Sequence, residues 1–253
     1  MIWLKPRYIF IALILALFVW LSMNATEFQL DKFKNVPNMF HFIYDQFYPP
    51  NWSILPRLIN ASFVTLAMAF LGTFFAIIIA IPLSFMAARN TNRNPLFGWV
   101  NRTMLSSLRS VPEIVFGLIF VVSLGLGPFT AVLAIMLHNI GVLGKLIAEL
   151  IESADPGPQE AMKSVGATRW VMVLFSIMPQ IWPNVLSHFF YRFEVAIRTS
   201  LILGFIGAGG IGQQLFNHFQ TFQYQSVAMD IIVIMFLVII VDFIGGKIRG
   251  RVI

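Results

Sequence analysis

Arg109, Glu113, Arg192, Glu194 and Arg198 are charged residues set inside strongly apolar runs. A charge at membrane depth costs roughly 2.5–3.5 kcal/mol on insertion scales, so it is rarely kept there without a role. Arg109 and Glu113 are four residues apart with Pro112 between them, and Glu194 and Arg198 are also four apart. At that spacing two helical side chains share a face and can pair. Arg192 has no acidic residue three or four positions away on its own helix, which leaves its guanidinium free for another partner. A guanidinium offers a bidentate fork to phosphate-like oxygens. A polar path of this kind needs weak or multiple contacts, so that an ion can leave as well as enter. Pairing within or between helices, holding a bundle together, is the structural alternative for the same residues.

A second cluster of distinctive residues runs from Glu160 to Pro179: E-A-M-K-S-V-G, nine residues, then S-I-M-P. Asp155, Pro156, Gly157 and Pro158 precede it. Pro158 suits a first helical turn, where its missing N–H costs nothing. Ala161, Val165 and Thr168 then fall on one face of the predicted helix, while Gln159, Lys163 and Trp170 point elsewhere. Gly166 allows close approach of another backbone or ends the helix, and Pro179 marks a break before the next apolar run. A polar helix wedged between membrane segments offers a handle to a partner in water.

Gly207, Gly209 and Gly212 spell G-x-G-x-x-G, with Gly210 beside them. A dinucleotide site needs a preceding strand, a following helix and an acid some 20 positions on. Asp230 has roughly that spacing, but the setting is a membrane run. The four glycines fit a gate or close helix packing instead. There is no G-x-x-x-x-G-K-[ST], so ATP hydrolysis cannot be assigned to this sequence. His138 and His188 read as hydrogen-bonded core residues, since no relay of acids accompanies them.

The elements that must position these residues follow from composition. Hydrophobic residues make up 58% of the 253 and charged residues 11%. Soluble domains carry roughly 25% charge, so lipid has to cover much of this surface. The sequence contains no cysteine, which excludes disulfides, thiolate metal sites and cysteine nucleophiles. The net charge of +6 reports sidedness in a membrane protein before it reports nucleic acid, and no nucleic-acid partner is expected.

A span needs about 20 apolar residues. The candidates are Tyr8–Met23, Leu58–Ala88 with a kink at Pro82, Leu105–Leu126, Phe129–Leu150, Gln180–Ser200 and Tyr224–Gly246. Leu201–Phe222 is too short and glycine-rich to span and reads as a short or re-entrant element buried in protein. The fold class is therefore an all-α, polytopic bundle of six transmembrane helices forming one domain over 1–253, with a core bundle from 58 onward. With the N-terminus inside, Lys5, Arg7, Arg89, Arg93, Arg102, Lys163, Arg169, Lys247, Arg249 and Arg251 lie on the cytoplasmic side. Only Lys32, Lys34 and Arg57 lie outside, so both ends are expected to be cytoplasmic. The first span lacks a clear cleavage site and is expected to be retained. The aromatic-rich segment 24–56 is expected outside, as an interfacial anchor or part of a landing surface for an external partner.

E-A-M-x3-G-x9-S-I-M-P resembles the loop of ABC importer permeases, whose pattern is E-A-A-x3-G-x9-I-x-L-P. Glu160, Ala161, Gly166 and Pro179 match, while Met162, Ser176 and Met178 depart from it with the spacing kept. The runs R-S-V-P-E-I-V-F-G-L-I-F-V from Arg109, Y-R-F-E-V-A-I-R-T-S from Tyr191 and G-F-I-G-A-G-G-I-G-Q-Q from Gly204 closely resemble bacterial phosphonate-uptake permeases. The resemblance covers roughly Arg102 to Arg249. It implies a type I ABC importer permease in the bacterial inner membrane, working as a homodimer with a cytoplasmic ATPase dimer and an external phosphonate-binding protein. ATP and Mg would sit on the ATPase, and no cofactor or metal is expected on this chain. Glu160, Ala161, Met162, Gly166 and Pro179 would form the ATPase-coupling loop, within 153–179.

The implied mechanism is alternating access: closure of the ATPase dimer draws two coupling helices together, and the permease halves open outward. Which phosphonate, phosphite or related oxyanion is carried depends mainly on the binding protein. The alternatives are an importer for another small solute such as an amino acid, an ion-coupled secondary transporter, or a non-transporting membrane scaffold.

Overall fold

The computed structural model describes residues 6–92 and 94–252. Lys5 and Arg93 of the charge census lie outside the described residues, as does the side chain of Arg251. The chain divides into two compact units, 1–48 and 49–253. In the first, helix α1 (Pro6–Ala25) is a long apolar rod, and α2 (Val36–Phe47) follows a 3-10 turn at Leu30–Asn35. Pro37 falls in the first turn of α2, where it costs no hydrogen bond.

The second unit holds the bundle. Helix α3 (Leu55–Ala87) runs 33 residues with Pro82 inside it. Helices α4 (Pro95–Ser110) and α5 (Glu113–Leu124) follow. Then come α6 (Pro128–Ser153), the short α7 (Pro156–Ser164) and α8 (Arg169–Met172), which passes through a π turn at Val173–Ile177 into α9 (Met178–Gly204). The chain ends with α10 (Gly210–Gln220) and α11 (Tyr224–Val252). Five helices are long and apolar enough to cross a membrane, and the α4–α5 pair, bent by 85°, counts as a sixth when taken as one broken span. The expected all-α architecture with up to six candidate spans is therefore present, with no strand among the described residues.

Small residues set the core. The buried stripe of α3 includes Ala61, Thr65, Ala69, Thr73, Ala76 and Ala80, and α6 answers with Ala131, Ala134, Gly141, Gly144 and Ala148. Such stripes let membrane helices approach until backbones nearly touch. Ser84 Oγ donates to Gly144 O across this interface at 2.9 Å.

The expected third span, Leu105–Leu126, is not one helix. It breaks at Val111–Pro112 and turns by 85°. The residue before a proline is pushed out of the helical region, and Val111 is extended, with φ −85° and ψ 123°. Α5 therefore begins inside the bundle.

One end of the bundle is laced by polar contacts. Arg102 Nη2 meets Glu152 Oε1 at 2.7 Å, Asn90 Nδ2 donates to Ile151 O at 2.6 Å, and Asp155 N donates to Gln180 Oε1 at 2.8 Å. Arg102, assigned to the cytoplasm by charge count, and the start of the Glu160 segment thus share an end. At the other end Asn51 N donates to Gln225 O at 3.0 Å and Gly127 N to Gly207 O at 3.1 Å.

Candidate functional site

The Glu160 segment is a short elbow. Asp155 caps it, its Oδ1 accepting from Gly157 N at 2.9 Å. Gly166, at φ +76°, closes it: its N–H bonds Lys163 O and the N–H of Ala167 bonds Met162 O, both at 3.0 Å. This is the paired-bond helix terminus that favours glycine. The helix therefore stops at Ser164, and the expected common face of Ala161, Val165 and Thr168 does not form. Gln159 is the buried residue, with Nε2 donating to Asp155 O at 3.2 Å. Glu160 and Ala161 are exposed, Met162 is half-buried, and Val165 is 77% exposed. Pro179 does not break the chain before the next span. It lies in the first turn of α9, after the π turn, within a helical run from Arg169 to Gly204. The altered bonding of the π turn removes the demand for the N–H that proline lacks.

The second cluster lies halfway along the bundle. Arg192, near the middle of α9, donates from Nε and Nη2 to Asn139 Oδ1, at 2.9 and 2.5 Å. Its Nη2 also reaches Glu113 Oε1 at 3.1 Å. Asn139, near the middle of α6, donates from Nδ2 to Thr73 Oγ1 on α3 at 3.1 Å. His138 Nδ1 lies 3.0 Å from Val111 O, and its Nε2 lies 3.6 Å from Glu113 Oε1. A carbonyl oxygen only accepts, so Nδ1 carries the proton. Nε2 then faces Glu113 as a lone pair in the neutral ring and as a donor in the charged one. Glu113 Oε2 is buried without a hydrogen-bond partner. Four helices and the α4–α5 break thus converge on one arginine, and Glu113 sits on the first turn of α5, where the helix dipole favours a carboxylate.

This overturns the expected pairing of Arg109 with Glu113. The four-residue spacing assumed a continuous helix, and Pro112 interrupts it. Arg109 ends α4, exposed, while Glu113 starts α5, buried. The second expected pair is also exchanged. Glu194 meets Arg249 on α11, and Arg198 meets Asp242 on α11 at 2.5 Å. Charge therefore occupies a further helix, α11, that sequence reasoning passed over, although Asp230 and Asp242 stand within its apolar run. Asp230 is fully buried, with Oδ2 2.7 Å from His218 Nδ1 on α10.

Gly207, Gly209 and Gly210 form the turn between α9 and α10 with φ of +87°, +91° and +74°. Gly212 lies where α10 crosses the end of α9, and a side chain there would strike the Leu201 backbone. Ile211 N donates to Thr65 Oγ1 at 2.9 Å, fixing α10 to α3. The segment is helix–turn–helix, without the strand a dinucleotide fingerprint requires.

Comparison with known proteins places this geometry. Residues 80–253 match the family model described as binding-protein-dependent transport system inner membrane component. The phosphite transport system permease protein PtxC of Stutzerimonas stutzeri is 41% identical over 201 residues, covering 79% of this chain and 73% of that protein. The putative phosphite transport system permease protein HtxC of the same organism is 38% identical over 214 residues, covering 85% and 76%. The phosphate-import permease protein PhnE of Mycolicibacterium smegmatis is 36% identical over 212 residues, covering 83% of this chain and 40% of that protein. Among solved structures, a chain of the inward-facing MetNI methionine ABC transporter superposes with a TM-score of 0.71 at 20% identity, over 80% of this chain and 99% of its own length. A chain of a bacterial ABC transporter for alginate import gives 0.67 at 15% identity, over 98% and 99%. At those identities the likeness establishes the type I ABC importer permease fold alone. The family match over more than half of the chain, and the two phosphite permeases covered over more than two thirds of their length, decide the family: the chain belongs to the inner membrane components of binding-protein-dependent transport systems, as a multi-pass protein of the cytoplasmic membrane.

Proposed function

We propose that this chain is the transmembrane subunit of an ATP-driven importer for phosphite, phosphonates or closely related phosphorus oxyanions. The observation that carries the reading is its 38–41% identity to two phosphite permeases over most of its length. The exposed Glu160–Gly166 elbow supports an ATPase partner. The Asp155–Gln180 contact ties this elbow to α9, which carries Arg192. Closure of two ATPase subunits on two such elbows would then draw α9 of each copy with it. Discrete repacking of tight helices makes such a motion two-state.

Arg192 is the chemical centre of the translocation path in this reading. In the present conformation its guanidinium is taken up by Glu113 and Asn139. The Glu113 carboxylate stands where an oxyanion would, between Arg192 and the first turn of α5. An incoming oxyanion has to displace Glu113, which keeps the site weak enough for release. Glu194, Arg198 and Arg109 lie off this centre and serve packing or entry. Gly207, Gly209, Gly210 and Gly212 give the α9–α10 turn the close packing of a gate.

The partner subunits are a second permease copy, an ATPase dimer holding ATP and Mg, and an external binding protein. The test is reconstitution of the chain in lipid vesicles with the ATPase and binding protein from the same gene neighbourhood. Phosphite or methylphosphonate should stimulate ATP hydrolysis and accumulate inside, and sulfate and methionine should not. Stimulation by an amino acid alone would overturn the substrate class, and mass measurement of the assembly reports one or two kinds of permease chain.

A further inference from the structure

We propose that the cytoplasmic end of the bundle holds a binding site for an anionic phospholipid, in the trough between α3 and the α8–α9 junction. The trough encloses about 610 Å³ and is walled by Ile81, Pro82, Phe85, Val173, Leu174 and Met178. Both walls are irregular helices. Pro82 removes a hydrogen bond within α3, and the π turn at Val173–Ile177 interrupts the α-helical bonding on the way into α9, so both walls carry a local irregularity beside the trough.

The walls are the inner ends of two membrane spans, Trp52–Ala87 and Arg169–Gly204, so the trough opens within the inner leaflet. Its rim is polar on one side only. Thr91 Oγ1 and Asn92 Nδ2 are committed to the carbonyls of Phe85 and Met86, each at 2.6 Å. Arg169 is the remaining charge on the lining, and its guanidinium has no partner among the described residues. No acidic residue lines the trough among the described residues. Trp170, 79% exposed, stands beside Arg169, as interfacial tryptophans do at headgroup level. An apolar trough with an unpaired guanidinium at its mouth fits an acyl chain attached to a phosphate. The cytoplasmic leaflet supplies anionic lipids to basic pockets between helices. The site abuts the elbow, so a bound lipid would brace α3 against the helix tied to it.

The full-length chain, delipidated in detergent, is titrated with phosphatidylglycerol and with phosphatidylcholine of the same acyl chains and read by native mass spectrometry. Retention of phosphatidylglycerol should exceed that of phosphatidylcholine about tenfold, the size expected for one charge-assisted phosphate contact. Arg169→Ala should abolish that preference, and Arg169→Lys, which keeps the charge, should preserve most of it. Phosphatidylglycerol brominated on its acyl chains should quench tryptophan emission less in Trp170→Phe than in the wild type. Equal retention of the two lipids, or an unchanged preference in Arg169→Ala, overturns the site. Loss of the bound lipid when the ATPase assembles assigns the trough to the ATPase and overturns it as well.

Discussion

Arg192 on α9 and Glu113 on α5 form an ion pair of 3.1 Å, although 79 residues separate them in sequence. Both are buried, and the pair spans the point where the third crossing breaks. Removing one member of a buried pair leaves the other charge uncompensated, which costs about 3–5 kcal/mol, whereas replacing both by apolar groups can be neutral.

That asymmetry separates a packing role from a transport role. Arg192→Ala and Glu113→Ala should each impair uptake and lower thermal stability. The double variant Glu113→Leu/Arg192→Leu should regain stability and ATPase assembly and still fail to transport. Uptake in reconstituted vesicles checks this, and normal transport by the double variant would reduce the pair to structure.

The elbow gives a second prediction. Gly166 holds φ +76°, a conformation that an L side chain adopts only with strain, and nothing lies within 4 Å of where its Cβ would stand. Gly166→Val therefore acts through the backbone alone, at a cost of about 1–2 kcal/mol confined to the α7 terminus. The bundle should keep its melting temperature while ligand-stimulated ATP hydrolysis falls several-fold. A variant with unaltered stimulation would show that the shape of the elbow does not carry the coupling.

Much of this was legible in the sequence, and what was not has physical causes. The approximate span positions, apart from the break at Val111–Pro112, followed from apolar length, and glycine content marked Leu201–Phe222 as too short to span, without revealing its turn and second helix. The elbow's exposure followed from its polarity. Pair assignments failed because spacing rules hold only along an unbroken helix. Pro112 stood between Arg109 and Glu113 and carried the warning. Glu194 and Arg198 chose α11 because partners on a packed neighbour satisfied both charges, and Asp242 was the visible signal. The convergence of Thr73, Asn139 and Arg192 had none, because it depends on how three helices rotate against each other.

Arg198 and Asp242 are the test of that interhelical choice. Their side chains are 49% and 45% exposed at membrane depth. Arg198→Asp alone sets two acids against each other and should cut the yield of folded protein sharply. Adding Asp242→Arg restores the pair with reversed sign and should recover most of it, since an unpaired charge there costs about 2.5–3.5 kcal/mol. Monodisperse yield in detergent is the measurement. If the swap recovers nothing, the two residues do not meet in the membrane.

His218 and Asp230 fasten α10 to α11, and they predict a graded response. Asp230 is fully buried and its Oδ1 has no hydrogen-bond partner, so His218 is its hydrogen-bonding partner among the described residues. His218→Phe removes that hydrogen-bonding partner, leaving only the more distant charge of Arg57, and should lower stability by about 2–3 kcal/mol, as for a buried acid stripped of its hydrogen bond. Asp230→Asn in the same background removes the charge and should return most of the loss, because a neutral amide tolerates the site better than a carboxylate. Α10 also bonds α3 through Ile211 N and Thr65 Oγ1, so its inner turn should stay ordered in both variants. Hydrogen exchange resolves the two ends: residues near Gln220 should lose protection in His218→Phe, while Ile211 keeps it. Uniform loss along α10 would mean that the helix docks as one unit, and that the glycine turn before it provides no separate anchor.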